Sequence, residues 1–114
     1  MANYDELTLE RWAQFTLDQQ ILMIGTEMNR AGNLMGEGDL ERRQCCYERA
    51  LQLVDLTLGL HPRPGLCREL GLWRGVIADL HLRKTSDPET HRIAFRSLLQ
   101  MRPALQHHVR MLDL

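Results

Sequence analysis

The chain has 114 residues, enough for one hydrophobic core and too few for two ordinary domains, so residues 1–114 are expected to fold as a single unit. Hydrophobic residues make up 44% and charged residues 25%, the balance of a globular chain rather than of a disordered or membrane-spanning one. The formal charge of -1, from 14 basic and 15 acidic side chains, leaves no overall field to draw nucleic acid or an anionic membrane.

The apolar run around Ile21 to Ile24 is far shorter than the roughly 20 residues that cross a bilayer. No basic start leads into a long apolar segment, so the expected location is the cytoplasm. Every basic side chain except Lys84 is an arginine, a composition that suits forked ion pairs. Cys45 and Cys46 are adjacent and Cys67 stands alone, which is the pattern of reduced thiols rather than of a disulfide framework.

In chain order, the first periodicity comprises Leu9, Trp12 or Ala13, Leu17, Ile21, Ile24, Met28 and Ala31, with Phe15 and Leu22 widening the stripe. Steps of three and four place these side chains on one helical face. Asn3 or Asp5 offers a cap, and Glu6 and Glu10 favour the amino end, so one helix is predicted from there to Met28 or Arg30. Three glycines between Gly32 and Gly38 break the pattern, and Asp39 is positioned to cap a second helix from Leu40. Its expected inner face is Leu40, Tyr47, Ala50, Leu51, Val54 and Leu58, flanked by Cys46 and Leu53, with Gly59 as a left-handed stop before HPRPG.

Leu66, Leu70, Trp73, Ile77 and Leu80 mark a third helix ending near Lys84. In SDPE, Asp87 is a cap, Pro88 a first helical residue and Glu89 an acidic first-turn residue, so a fourth helix follows through Ile93, Ala94, Leu98 and Met101. Pro103 either kinks it or opens a short fifth helix containing Leu105, Val109 and Leu112. The expected fold is all-α, an up-and-down four-helix bundle with that short C-terminal addition.

Several side chains carry possible chemistry. Asp55 sits among Leu53, Val54, Leu56 and Leu58, where an unpaired charge facing the core is costly; the helix can turn it to a boundary, and an inward Asp55 calls for Arg74 or another arginine across the bundle as its partner. Asp79 has Arg83 one turn later as a local ion-pair partner. Glu27, Glu48, Asp55 and Asp79 supply carboxylates from several helices but lack the glutamate-x-x-histidine spacing of a di-metal centre, and the cysteines with His61 lack zinc-knuckle spacing. No metal or other cofactor is therefore expected. Arg102 followed by His107 is the one pair with a reaction attached, the arginine holding phosphate while the histidine exchanges a proton. Trp12, Phe15, Tyr47, Trp73 and Phe95 fall at helical positions that fill space between helices, and GNLMGEG lacks the lysine of a phosphate loop.

IGTEMNRAG, GDLERRQCCYERALQLVDLTL and LCRELGLWRGVIADL, covering Ile24 to Leu82, resemble a small bacterial helical family without a settled biochemical role. The likeness rests on Glu27 and Arg30, the ERAL of Glu48 to Leu51, Asp55, Arg68, Glu69 and Arg74. That family is similar to the HEPN group of four-helix bundles, some of which cleave RNA with an arginine followed after four to six residues by histidine. Arg102 with His107 and Arg74 with His81 both match this spacing, although Pro103 and Gly75 stand where the group carries a polar residue.

ILMIGTEM, CYERALQLVDLTL and LLQMRPAL also resemble the spacing of flagellin export chaperones, and GDLERRQCCYERALQL the second half of a tetratricopeptide repeat. The combined expectation is a non-enzymatic, protein-binding or self-associating helical module, with Arg102 and His107 as the ribonuclease alternative.

Overall fold

Thr16 sets the start of the first long helix. In the computed structural model, which describes residues 7–114, its hydroxyl accepts from the Gln19 amide at 3.1 Å, and the Gln19 side chain accepts from the Thr16 amide at 2.8 Å. This reciprocal cap satisfies amides that a helix start otherwise leaves open. The predicted continuous first helix is therefore two: a single turn, α1 (Leu9–Trp12), capped by Thr8, and α2 (Leu17–Gly32). Gln20 stabilises the break by donating to the carbonyls of Trp12 at 2.9 Å and Phe15 at 3.1 Å. The expected caps Asn3 and Asp5, with Glu6, lie outside the described residues.

A 3-10 turn at Glu37–Asp39 leads into α3 (Leu40–Leu60). Asp39 stands at the cap position, but its carboxylate turns back to the Gly36 amide at 3.0 Å and outward to Arg42 at 2.8 Å. A β-carbon on Gly36 would lie 2.9 Å from that carboxylate, so a larger residue there would displace the Asp39 side chain from this contact. Gly59 does not provide the predicted left-handed stop. It is helical, no described glycine has positive φ, and α3 ends at His61 ahead of Pro62 and Pro64 because proline disfavours helical geometry in the residue before it.

Helix α4 (Pro64–Leu82) starts with proline at its first position, and α5 (Pro88–Gln100) starts as SDPE predicts, with Asp87 accepting from the Thr90 amide at 3.1 Å. Pro103 opens a 3-10 turn, Pro103–Leu105, which passes into α6 (Gln106–Met111). The described residues are helical or connecting and include no strand.

α2 packs against both α3 and α5, α3 against α4, and α4 meets α5 along a thinner contact. Ile21, Ile24 and Met28 of α2, Leu53 and Val54 of α3, Leu70 and Ile77 of α4, and Leu98 and Leu99 of α5 have no exposure. Burying each such side chain contributes about 1.5–3 kcal/mol. Tyr47, Ala50 and Val54 of the expected inner face of α3 are buried, and the face is shifted toward its flanking residues. Cys46, Leu53 and Thr57 are fully inside, while Leu51 and Leu58 are only half-buried. Arg43 is also inside and donates to the carbonyls of Leu34 at 2.9 Å and Lys84 at 3.4 Å, tying the ends of α2 and α4 to α3.

Two glycines in the middle of α4 have no internal purpose: a β-carbon on Gly71 or Gly75 would meet nothing within 4 Å. Because glycine is the poorest non-proline helix former, Gly71→Ala is expected to stabilise the fold by about 0.8–1 kcal/mol. In thermal unfolding this corresponds to roughly 4 °C in the midpoint. A lowered midpoint would show that the position is already packed.

Candidate interaction surface

The thin contact between α4 and α5 leaves a groove of about 610 Å³. Trp73 and Ala94 form its floor, joined by the Trp73 indole donating to the Ala94 carbonyl at 2.8 Å. Large apolar side chains stand along its rim: Leu72 is 71% exposed, Ile93 49% and Val76 41%. Leu82, 76% exposed, extends the same outward side of α4. Glu69, Thr90, Ser97 and Gln100 also line the groove, giving an apolar trough with a polar border. It has the chemistry to receive apolar side chains.

A second cavity of about 650 Å³ lies between the end of α2 and the first half of α3. Arg30, Arg42 and Arg49 surround it, with Cys45 and Cys46 beside them. Beneath is Glu27, fully buried, with Arg30 at 2.8 Å and Arg49 at 3.8 Å. Arg42 is held by Asp39 at 2.8 Å. All three guanidinium groups thus have a carboxylate within the chain, which reduces the pull on an external anion. Burial and the neighbouring Glu27 charge push the Cys46 thiol up, opposite to the activation a nucleophilic cysteine requires.

The charged residues singled out from the sequence lie elsewhere. Arg74 clasps Asp55 in a two-pronged pair, Nε to Oδ1 at 2.7 Å and Nη2 to Oδ2 at 3.0 Å, fastening α4 to α3 on the outside. Arg83 bridges Asp79 at 2.6 Å and Asp87 at 2.7 Å, joining the end of α4 to the cap of α5. Glu48, Asp55 and Asp79 face outward, whereas Glu27 is buried, so the four carboxylates do not converge. Among the described residues no group of three or more His, Cys, Asp or Glu side chains could hold a metal ion.

Arg102 is ion-paired through Nε with Asp18 in the first turn of α2. His107 is exposed on α6, its ring centroid 4.0 Å from that of His108. Neither Arg102 nor His107 lines either cavity described above. His81 of the second arginine-histidine match gives its main-chain carbonyl to Gln44 at 3.1 Å.

Sequence reasoning did not place His91 inside, yet it is almost wholly buried at the meeting of α2, α3 and α5. Its Nε2 lies 2.9 Å from the Met28 carbonyl, which only accepts, so Nε2 carries the proton. Nδ1 then accepts from the Tyr47 hydroxyl at 2.8 Å. Burial lowers the His91 pKa and raises that of Tyr47 to about 12. The signal was available, because His91, Ala94, Phe95 and Leu98 recur at helical spacing. The exposed Leu72 and Val76 had a signal too: LGLWRGVI is apolar on more faces than one core contact can cover.

Compared with family models, curated proteins and solved structures, the chain matches none. No described helix is long and apolar enough to cross a membrane.

Proposed function

We propose that this protein is a non-enzymatic helical interaction module, an up-and-down four-helix bundle of α2 to α5 that binds another protein through the outward face of α4 and its groove with α5. The observation that carries this reading is the convergence of Leu72, Val76 and Ile93, all substantially exposed, on one apolar trough. Such a face loses free energy to water until a partner covers it. The charged groups support the same reading, since Asp55, Arg74, Asp79 and Arg83 are engaged in ion pairs that brace the helices.

The test is complex formation by the purified protein, measured as mass in solution, against Leu72→Glu and Ile93→Glu with circular dichroism to verify the fold. Burial of one leucine side chain corresponds to about 1.5–3 kcal/mol, so each substitution should weaken association at least about tenfold. An Arg110→Glu control on α6 should leave it unchanged. Association indifferent to Leu72 and Ile93 would sink the proposal. So would metal-independent RNA cleavage that disappears in both Arg102→Ala and His107→Ala, the result belonging to the ribonuclease alternative.

A further inference from the structure

The outward side of α4 carries a second regularity. Gly65, Arg68, Leu72, Gly75, Asp79 and Leu82 recur at alternating steps of three and four residues, and all six are exposed. This is the spacing of a coiled-coil seam, in which one helix presents a narrow stripe to another. The stripe mixes two leucines, two glycines and one charge of each sign, so few arrangements of a partner helix suit it.

We infer that a second copy of this chain docks on this stripe with its α4 antiparallel, the twofold axis level with the midpoint of Trp73 and Arg74. This rests on the interaction-module reading and specifies its partner. In that register Gly65 stands opposite the second copy's Leu82, Arg68 opposite its Asp79, and Leu72 opposite its Gly75. Symmetry then forms each layer twice. Both leucines meet a glycine, and at Gly65 and Gly75 the space where a β-carbon would be is open for 4 Å around. Both charged positions meet their opposite.

Charge complementarity selects this arrangement over its competitors. A parallel pair in register puts Arg68 against Arg68 and Asp79 against Asp79. Sliding the antiparallel pair by one heptad toward the amino end sets Arg68 against Leu72, and sliding it the other way sets Asp79 against Gly75. Only the proposed register pairs both charges. Asp79 pairs with Arg83 through one oxygen at 2.6 Å while its side chain stays 61% exposed, which leaves the carboxylate accessible to a second cation, and Arg68 makes no ion pair among the described residues. Gly75, which weakens the middle of α4 within one copy, thereby gains a purpose: with Gly65 it allows two α4 helices to approach closely. Leu72 belongs to both the seam and the groove rim, so the paired helices leave their grooves side by side on one apolar face.

A charge exchange tests the register. Wild-type protein should sediment as a dimer in the micromolar range. Arg68→Asp alone and Asp79→Arg alone each create two like-charge layers and should raise the dimer dissociation constant at least about tenfold. An equimolar mixture of these two variants restores opposite charges in both layers and should dimerise as heterodimers with roughly wild-type affinity. Circular dichroism of each variant checks that its helices are intact. Three results would overturn the inference: a wild-type monomer throughout that range, single variants that dimerise as well as wild type, or a mixture no tighter than its components. If the mixture fails while Leu72→Glu still abolishes binding to another protein, this register falls and the interaction-module reading stands. If no complex depends on Leu72 or Ile93, that reading falls as well.

Discussion

His91→Ala is expected to lower the free energy of unfolding by about 3–5 kcal/mol, a large share of the roughly 5–15 kcal/mol that a domain possesses. The ring is buried between α2, α3 and α5, and on its Gly32 side the fit is close, since a β-carbon there would come within 3.2 Å of its Nε2. Removing the ring also strands the Tyr47 hydroxyl, which is almost wholly buried and has His91 as its hydrogen-bond partner. An orphaned buried polar group costs about 1–3 kcal/mol. Urea unfolding at neutral pH checks the value. A change below about 1 kcal/mol would mean that the three helices are held without this junction.

The same residue gives the fold a pH dependence of definite sign. Burial depresses the His91 pKa below its ordinary 6.5, partly offset by the Met28 carbonyl. Above that pH the ring is neutral in both folded and unfolded chains, and its contribution is fully present. As pH falls below 6.5 the unfolded chain takes up the proton first, and stability declines until the folded-state pKa is reached. His61, lowered by burial and by Arg63 and Arg102, acts in the same direction. Tyr47 produces the opposite limb: its pKa rises from 10.0 to about 12, so stability falls as pH climbs through that interval. The His91→Ala variant should retain a shallower acid limb, owed to His61.

Trp12→Ala should cost a similar amount, about 3–5 kcal/mol. A four-residue helix such as α1 has no stability of its own, since nucleation fixes several dihedrals for one hydrogen bond. Trp12 holds it in place. The indole has no exposure and donates to the Thr57 hydroxyl at 2.9 Å, and that hydroxyl donates to the Leu53 carbonyl at 2.8 Å. Gln20 ties the Trp12 carbonyl to α2 and receives His61 Nε2 at 2.9 Å, which brings in the loop before α4. Loss of Trp12 should therefore also release amide protection from Leu9 to Phe15 in hydrogen exchange. Trp12→Phe keeps most of the apolar contact and should lose only about 1 kcal/mol with the single hydrogen bond. An unfolding midpoint unchanged in Trp12→Ala would show that α1 is ornamental to the core.

Periodicity and boundary chemistry made most of the secondary structure legible. SDPE marks the start of α5 because proline suits a first helical position and aspartate accepts a free amide, both local effects. Thr16 and Gln19 are an equally local signal, yet the apolar stripe running across them points to one unbroken helix. The break prevails because Gln20 captures the carbonyls exposed there, and His61, which completes that arrangement, is distant in sequence. Gly59 misleads for the converse reason: glycine permits a left-handed stop without requiring one, and here α3 continues past it until the prolines intervene.

Hydrophobic spacing and helix caps act within a few residues, so local order is enough to specify an all-helical chain, most boundaries of its long helices and most of the residues they bury. Tertiary structure alone decided which helix faces remain uncovered and which charges meet. Leu70 and Leu72 differ little as residues, but a rotation of 200° around α4 puts one in the dry interior and the other in water. Glu27 and Asp55 are both carboxylates on apolar-flanked helices, and packing buries the first beside Arg30 and Arg49 while leaving the second outside, clasped by Arg74. Those outcomes depend on the relative rotation and separation of helices, which is set by the shape of every side chain in the core at once.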